Sequence, residues 1–447
     1  MRINPSRALS VLAMILVGLV SPGCNSNSSD GGAVQTDMEV MRGLGDTGSA
    51  TDMGTIDMGG DAPDVMVFPD LGVFSPHCDR AIGYGLRGQL SDLTADASHS
   101  AQSVWNGSEW GVAWIQVGAE GEASTVFFQR FNGSGSGIAD PVEIGKTMSA
   151  TIRVVGTQDG YVVAFLNDRT NDDPFSGLRL RAVGPDGRPA FTVINVDATF
   201  DVHDFGFAWA PFSGGMLLYS RGRAGASGVF SQAVDPSLNL QAPIRLTQSQ
   251  GTATAVAYGD GVWGAAWLAA DGGAGSELAF ALLDDNGGVT EAEQRVSGGG
   301  VGRIAIAYGQ GTFGVAWSKR DEGTSPSPFL TLIESGGDII GTPPIDGTDR
   351  LGLVHSLAWI GQVGFAVGWL STLDGGQTQA GITRISTLGI PLQPIDIPVD
   401  EGASHRGIAI AGNQGRLGIW VTNDPAPQPA GYSEAARSQF GVVGPCN

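Results

Sequence analysis

Five histidines stand in this chain of 447 residues, and four of them keep one spacing. His99 lies 15 residues before Trp114, His203 lies 16 before Tyr219, His355 lies 14 before Trp369 and His405 lies 15 before Trp420, while His77 stands apart. Imidazole titrates near neutral pH and is the commonest metal-ligating side chain. Imidazoles brought together beside carboxylates make a divalent transition-metal site, and acidic stretches such as "NDRTNDDPFSG" and "KRDEGTSPS" accompany the same spacing. His99, His203, His355 and His405 are therefore the candidate ligand-binding and metal-binding residues, with a divalent metal as the cofactor class they would admit. The plain alternative is that they are solvated loop-end side chains, since Ala150, Thr252 and Gly302 hold the same place elsewhere. No residue is identified as catalytic. There is no H-E-x-x-H, Asp140 occupies the first glycine position of a P-loop around Gly145-Lys146-Thr147, and "GLGDTG" at 43–48 is neither preceded by a strand nor followed by a helix.

The elements that must position these residues are written in a repeat. "AYGDGVWGAAW", ending at Trp267, returns fifty residues later as "AYGQGTFGVAW", ending at Trp317, and looser copies end at Trp114, Phe165, Tyr219, Trp369 and Trp420. The closing aromatics are 51, 54, 48, 50, 52 and 51 residues apart, a period that belongs to repeat architectures. Each unit, named below by its closing aromatic, contains two apolar runs joined by a Gly-containing turn such as Asn106-Gly107 or Asp260-Gly261, which reads as a tight hairpin. A third strand follows ("TVFFQRF", "LRLRAV", "LAFALL", "FLTLIE"), then a weaker fourth ("PIRLTQ", "AEQRVS"). Glycine at 70 of 447 residues fits a chain of many short strands and turns.

Four antiparallel strands repeated seven times predict an all-β fold, a seven-bladed β-propeller of four-stranded blades over residues 78–447. In such a ring the innermost strands place the four histidines around the mouth of the central channel. The closing aromatics are expected between blades, as core. The last unit ends after its third strand, whereas Leu86–Trp105 supplies a strand before the first unit, so the N-terminal strand is expected to complete the last blade. Cys78 and Cys446 flank those two strands, and an even pair in an exported chain predicts a disulfide across the seam.

Export is written at the N-terminus. Arg2 and Arg7 precede an apolar run from Ala8 to Val20, then Ser21-Pro22-Gly23-Cys24, the pattern of a secretory signal over residues 1–23. It resembles bacterial lipoprotein signals, which implies diacylation of Cys24. Residues 24–77 read as a disordered acidic tether: from Asn25 to His77 there are nine acids against one base, Arg42, and few aromatics. The formal net charge of −21 argues against nucleic acid as a partner. The "GVAW" strands with their acidic loops resemble the repeats of propeller lipoproteins of Gram-negative bacteria, and more distantly those of sialidase-type propellers, though without the latter's Asp-box.

That resemblance implies an outer-membrane lipoprotein of the cell envelope, periplasmic or surface-exposed, held to the membrane through its lipid anchor and monomeric. The first functional expectation is a binding or scaffolding module for an envelope protein or glycan. The second is a metal-dependent polysaccharide lyase or hydrolase using the histidine-lined channel mouth.

Overall fold

The computed structural model describes residues 91–93, 98–117, 123–147, 149–167, 177–197, 202–222, 227–248, 251–270, 276–320, 326–345, 352–373, 376–392, 394–397, 404–413, 415–424 and 437–443. Cys24, Cys78 and Cys446, with the expected signal segment and tether, lie outside them.

The chain is all-β, built from antiparallel sheets in a propeller. The innermost strands are Ser98–Trp105, Ile152–Thr157, Val202–Ala210, Gly251–Gly259, the second half of Gln294–Gly309, Gly352–Trp359 and Ser404–Asn413. Each neighbours the next, and the last returns to the first, closing a ring around a central channel. In the final sheet the order is Ser91–Leu93, Arg437–Val443, Arg416–Asp424, Ser404–Asn413, so a strand from the start of the described chain pairs with one from its end.

Seven separate four-stranded sheets are expected from the repeat, and here the structure differs. Among the described residues five sheets are four-stranded and one has seven strands, because Gln294–Gly309 runs unbroken for 16 residues through the Trp267 and Trp317 units. Gly300 pairs with Ser276 on one side and Lys319 on the other. Gly299, Gly300 and Gly302 stand in this crossing, and glycine follows extended pairing with two partners as readily as a turn, so the chain passes from the outer edge of one unit to the inner edge of the next without a break.

The repeated phrase is explained by what packs between sheets. Second strands such as Gly160–Asn167 are buried along their whole length because both faces meet a neighbouring sheet, which is why they are apolar without alternation. The aromatic opening one second strand lies over a glycine in the second strand before it. A methyl group on Gly111 would stand 2.3 Å from the Tyr161 ring, one on Gly264 2.7 Å from Phe313, one on Gly314 2.7 Å from Phe365, and one on Gly418 2.9 Å from Trp110. A second tier repeats the device on the innermost strands, with Tyr308 over Gly259 and Trp359 over Gly309. Each copy of the phrase thus carries aromatic knobs for one neighbour and glycine hollows for the other.

The closing aromatics are core, as expected: Trp114, Phe165, Tyr219, Trp267, Trp317, Trp369 and Trp420 are all buried. Trp317 and Trp369 donate their indole N–H to Thr331 and Thr383 on the third strand, at 3.0 and 2.9 Å. At the seam Trp114 stacks on Trp420 with ring centroids 5.5 Å apart, within an apolar cluster that also holds Trp110, Phe131 and Phe440.

Overpacking a filled interface costs about 1–3 kcal/mol. Gly314→Ala is therefore expected to destabilise the domain by about that amount, whereas Gly341→Ala, where a methyl group meets nothing within 4 Å, should stay within about 0.5 kcal/mol of wild type. Urea unfolding monitored by tryptophan fluorescence distinguishes the two. Equal midpoints would show that the glycine hollows are not steric requirements.

Candidate functional site

In six of the seven units the innermost strand breaks register with its neighbour near its start. The break spans His99-Ser100 in the Trp114 unit, His203 in the Tyr219 unit and Thr252-Ala253 in the Trp267 unit. It spans Gly302-Arg303, His355 and Arg406 in the last three. The Phe165 unit pairs evenly from Ile152 onward. A β-bulge leaves an extra residue out of the ladder and re-aims its side chain, so a ring of bulges at one end of a ring of strands is a device for lining a channel mouth. At Gly302 the backbone takes φ +76°, a conformation glycine adopts without cost, and delivers Arg303 next to it.

Around Arg303 the units meet. Its Nη2 lies 3.4 Å from the Ser100 hydroxyl, which is 203 residues away. Its charge acts on His355, Asp204 and Arg153. These five residues come from five units. Asp204 accepts the backbone N–H of Thr254 at 2.8 Å. Burial pushes its carboxyl pKa up, against the pull of Arg153, of backbone N–H groups from Thr254 and Phe205, and of Arg303. Burial likewise lowers Arg153, opposed by Asp204 and reinforced by Arg303, and the Arg153 guanidinium lies over the Phe205 ring, 5.7 Å from its centroid. The His355 imidazole is driven down to about 3, first by burial and then by Arg303. At neutral pH the cluster therefore contains two guanidiniums, a carboxyl group, a neutral imidazole and a hydroxyl. It is a cationic focus within a strongly acidic chain.

The three histidines whose side chains are described, His203, His355 and His405, are not brought together as one set. His355 is in the cluster. His203 is exposed on its bulge, and the side chain of His99 lies outside the described residues. His405 corrects the expected arrangement: it pairs with Asn423 one residue before the bulge, which falls on Arg406, so its side chain turns into the wall between two sheets. There it is 1% exposed and its Nδ1 accepts the Ala380 N–H at 3.1 Å. Among the described residues no three His, Cys, Asp or Glu side chains are placed to hold one metal ion. The spacing that singles out the histidines does coincide with the bulges, and counting by it also reaches Arg303, 14 residues before Trp317, and Arg406, 14 before Trp420. Attention to one residue type conceals them.

No family model and no curated protein matches the chain. Among solved structures it is similar to an acylaminoacyl peptidase from Pyrococcus horikoshii (TM-score 0.45, 10% identity), covering 77% of this chain and 52% of that one, so it spans about half the peptidase's length. It is also similar to the polysaccharide lyase Uly1 (0.49, 11%, 78% of this chain and 91% of that). A third likeness is to the subtype N11 neuraminidase-like protein of A/flat-faced bat/Peru (0.41, 10%, 81% and 92%). No activity is transferred from these likenesses.

His355 and His405, at about 3 and about 4, both titrate below the ordinary 6.5. A base whose pKa falls on folding contributes stability that is present above 6.5 and lost as pH drops toward its folded value. The domain should therefore weaken between pH 7 and pH 4.5. His405→Asn, which keeps an acceptor for the Ala380 N–H and cannot titrate, should reduce that loss. Urea midpoints at the two pH values measure it, and an unchanged difference would remove His405 from the account.

Proposed function

We propose that this protein is a binding module that takes an anionic group of a glycan into the bulge-side mouth of a seven-bladed propeller, held to a membrane outside the cytoplasm through Cys24. The observation that carries the ligand class is the convergence of Arg153 and Arg303 with His355, Asp204 and Ser100 from five units. Guanidiniums are the side chains best matched to planar carboxylates and to phosphate or sulfate oxygens, and Asp204 opposite them accepts a ligand hydroxyl while limiting the net charge. The seven-blade count rests on treating the two halves of the seven-stranded sheet as two blades, each with its own innermost strand in the ring. The seam disulfide between Cys78 and Cys446 belongs to the same proposal.

A lyase or hydrolase at this mouth would need a proton acceptor beside the bound ring. A base of pKa about 3 is a weak acceptor at neutral pH, and His355 is the only imidazole of the described cluster. Asp204, whose carboxyl pKa is pushed up by burial, is the other acid–base group of the cluster, so the preference for binding rests on the paired guanidiniums and not on the want of a base.

Calorimetric titration with an oligouronate and with its neutral methyl ester tests the ligand class. The acid form should bind and weaken as salt rises, and Arg303→Ala, an exposed position, should cost about tenfold or more in affinity. Equal binding of acid and ester would overturn the anionic reading. For the anchor, wild type should partition into detergent while Cys24→Ala does not. Wild type that is processed yet stays in the aqueous phase would remove the tether.

A further inference from the structure

The opposite end of the channel, where the innermost strands turn into their hairpins, has a different chemistry. There a cavity of about 440 Å³ opens among the ends of the first strands, within the range of about 300–1,000 Å³ usual for small-ligand sites. Trp105, Trp209 and Tyr258 line it from three units, each half-buried, so each keeps part of a ring accessible. Asn106, Thr157 and Gln158 add amide and hydroxyl groups at the hairpin turns. No Asp, Glu, Lys, Arg or His is among the residues lining the cavity. Beside Pro211, at the rim, Phe212 is 84% exposed, an aromatic ring held in water at a turn where a polar residue would serve.

We infer that this hairpin-side cavity is a second binding site, for a neutral pyranose sugar. The lining decides the class. Asn106 Oδ1 is engaged within its own turn, accepting the backbone N–H groups of Ser108 and Glu109, so the Thr157 hydroxyl and the exposed Gln158 amide are the groups a wholly apolar ligand would strip of water without replacing the hydrogen bonds. A charged ligand would find no counter-charge in the lining. A neutral pyranose presents C–H faces that pack on Trp and Tyr rings and a rim of hydroxyls that exchange hydrogen bonds with Asn, Gln and Thr, so each kind of group in the cavity meets its complement. Phe212 extends the aromatic surface outward, so a chain of such sugars would continue over the rim. Trp105 packs edge-on against Trp110 at 5.0 Å and Trp209 against Phe207 at 6.3 Å, which fixes the rings before any ligand arrives.

Two of the lining residues are tryptophans, so binding reads out directly as a change in intrinsic emission. Cellotriose, chitotriose and mannotriose are titrated into wild type, Trp209→Leu, Gln158→Ala and Phe212→Ala, with Nile red as a purely apolar probe. At least one trisaccharide should bind wild type, weaken on the order of tenfold in Trp209→Leu and severalfold in Gln158→Ala, and resist competition by an oligouronate. Gln158 and Phe212 are exposed, so their variants decide the matter if Trp209→Leu does not fold. Binding of Nile red alone, failure of all three trisaccharides, or sugar binding that ignores Gln158→Ala and Phe212→Ala would overturn the inference. Competition by the oligouronate would place the sugar at the other mouth instead.

Discussion

Aromatic rings seated over glycines hold this ring together. A propeller has no single centre to bury, so each sheet must be covered by its neighbours, and the spacing between sheets is set by what stands between them. Tyr161 over Gly111, Phe313 over Gly264, Phe365 over Gly314 and Trp110 over Gly418 set that spacing with one large and one absent side chain. The large ring supplies the buried area and the missing Cβ lets the second strand approach it. Trp110 over Gly418 is the same contact made across the seam, so the joint between the beginning and the end of the described chain is packed like the others.

Packing of this kind leaves the innermost strands little freedom, and the bulges supply what variation the channel has. A strand held on one side by the next unit and on the other by its own hairpin partner can present new chemistry to the lumen where an extra residue escapes the ladder. Six units use that place, and what they put there differs: imidazole, guanidinium, hydroxyl or nothing. The scaffold repeats while its mouth does not. Asp204 and Arg153, on regularly paired neighbours, complete the charge pattern, and burial moves their pKa values in opposite directions because each ionised form loses water.

The channel is polarised along its length as a result. Strand starts carry ionic groups on bulges, and strand ends carry Trp105, Trp209 and Tyr258 beside neutral turn residues. Both ends draw on the same seven strands, so neither can be changed without regard to the knob-and-hollow packing between them. The aromatics of the hairpin end share this double duty: Tyr258 packs against Trp263 at 4.8 Å while lining the cavity.

The repeat, the strands within it and the buried fate of the closing aromatics were legible in the sequence because each depends on local pattern: a period near 51, glycine at turns, and apolar second strands that do not alternate. The interest of the histidine spacing was also legible, since equal register on equivalent strands becomes equal height in the channel. What register counting could not resolve is a single residue of slippage. A bulge shifts every side chain by one, so His405 faces the wall and Arg406 occupies the bulge, although both satisfy the count within its scatter. The contact between Arg303 and Ser100 is decided only by ring closure, which brings together positions 203 residues apart. The unbroken strand through Gly300 was hidden for the opposite reason: glycine reads as a turn in sequence, yet it permits extended pairing with two partners when neighbouring sheets supply them. Local pattern fixed which residues form strands, while long-range closure and the bulges it accommodates decided which of their side chains meet.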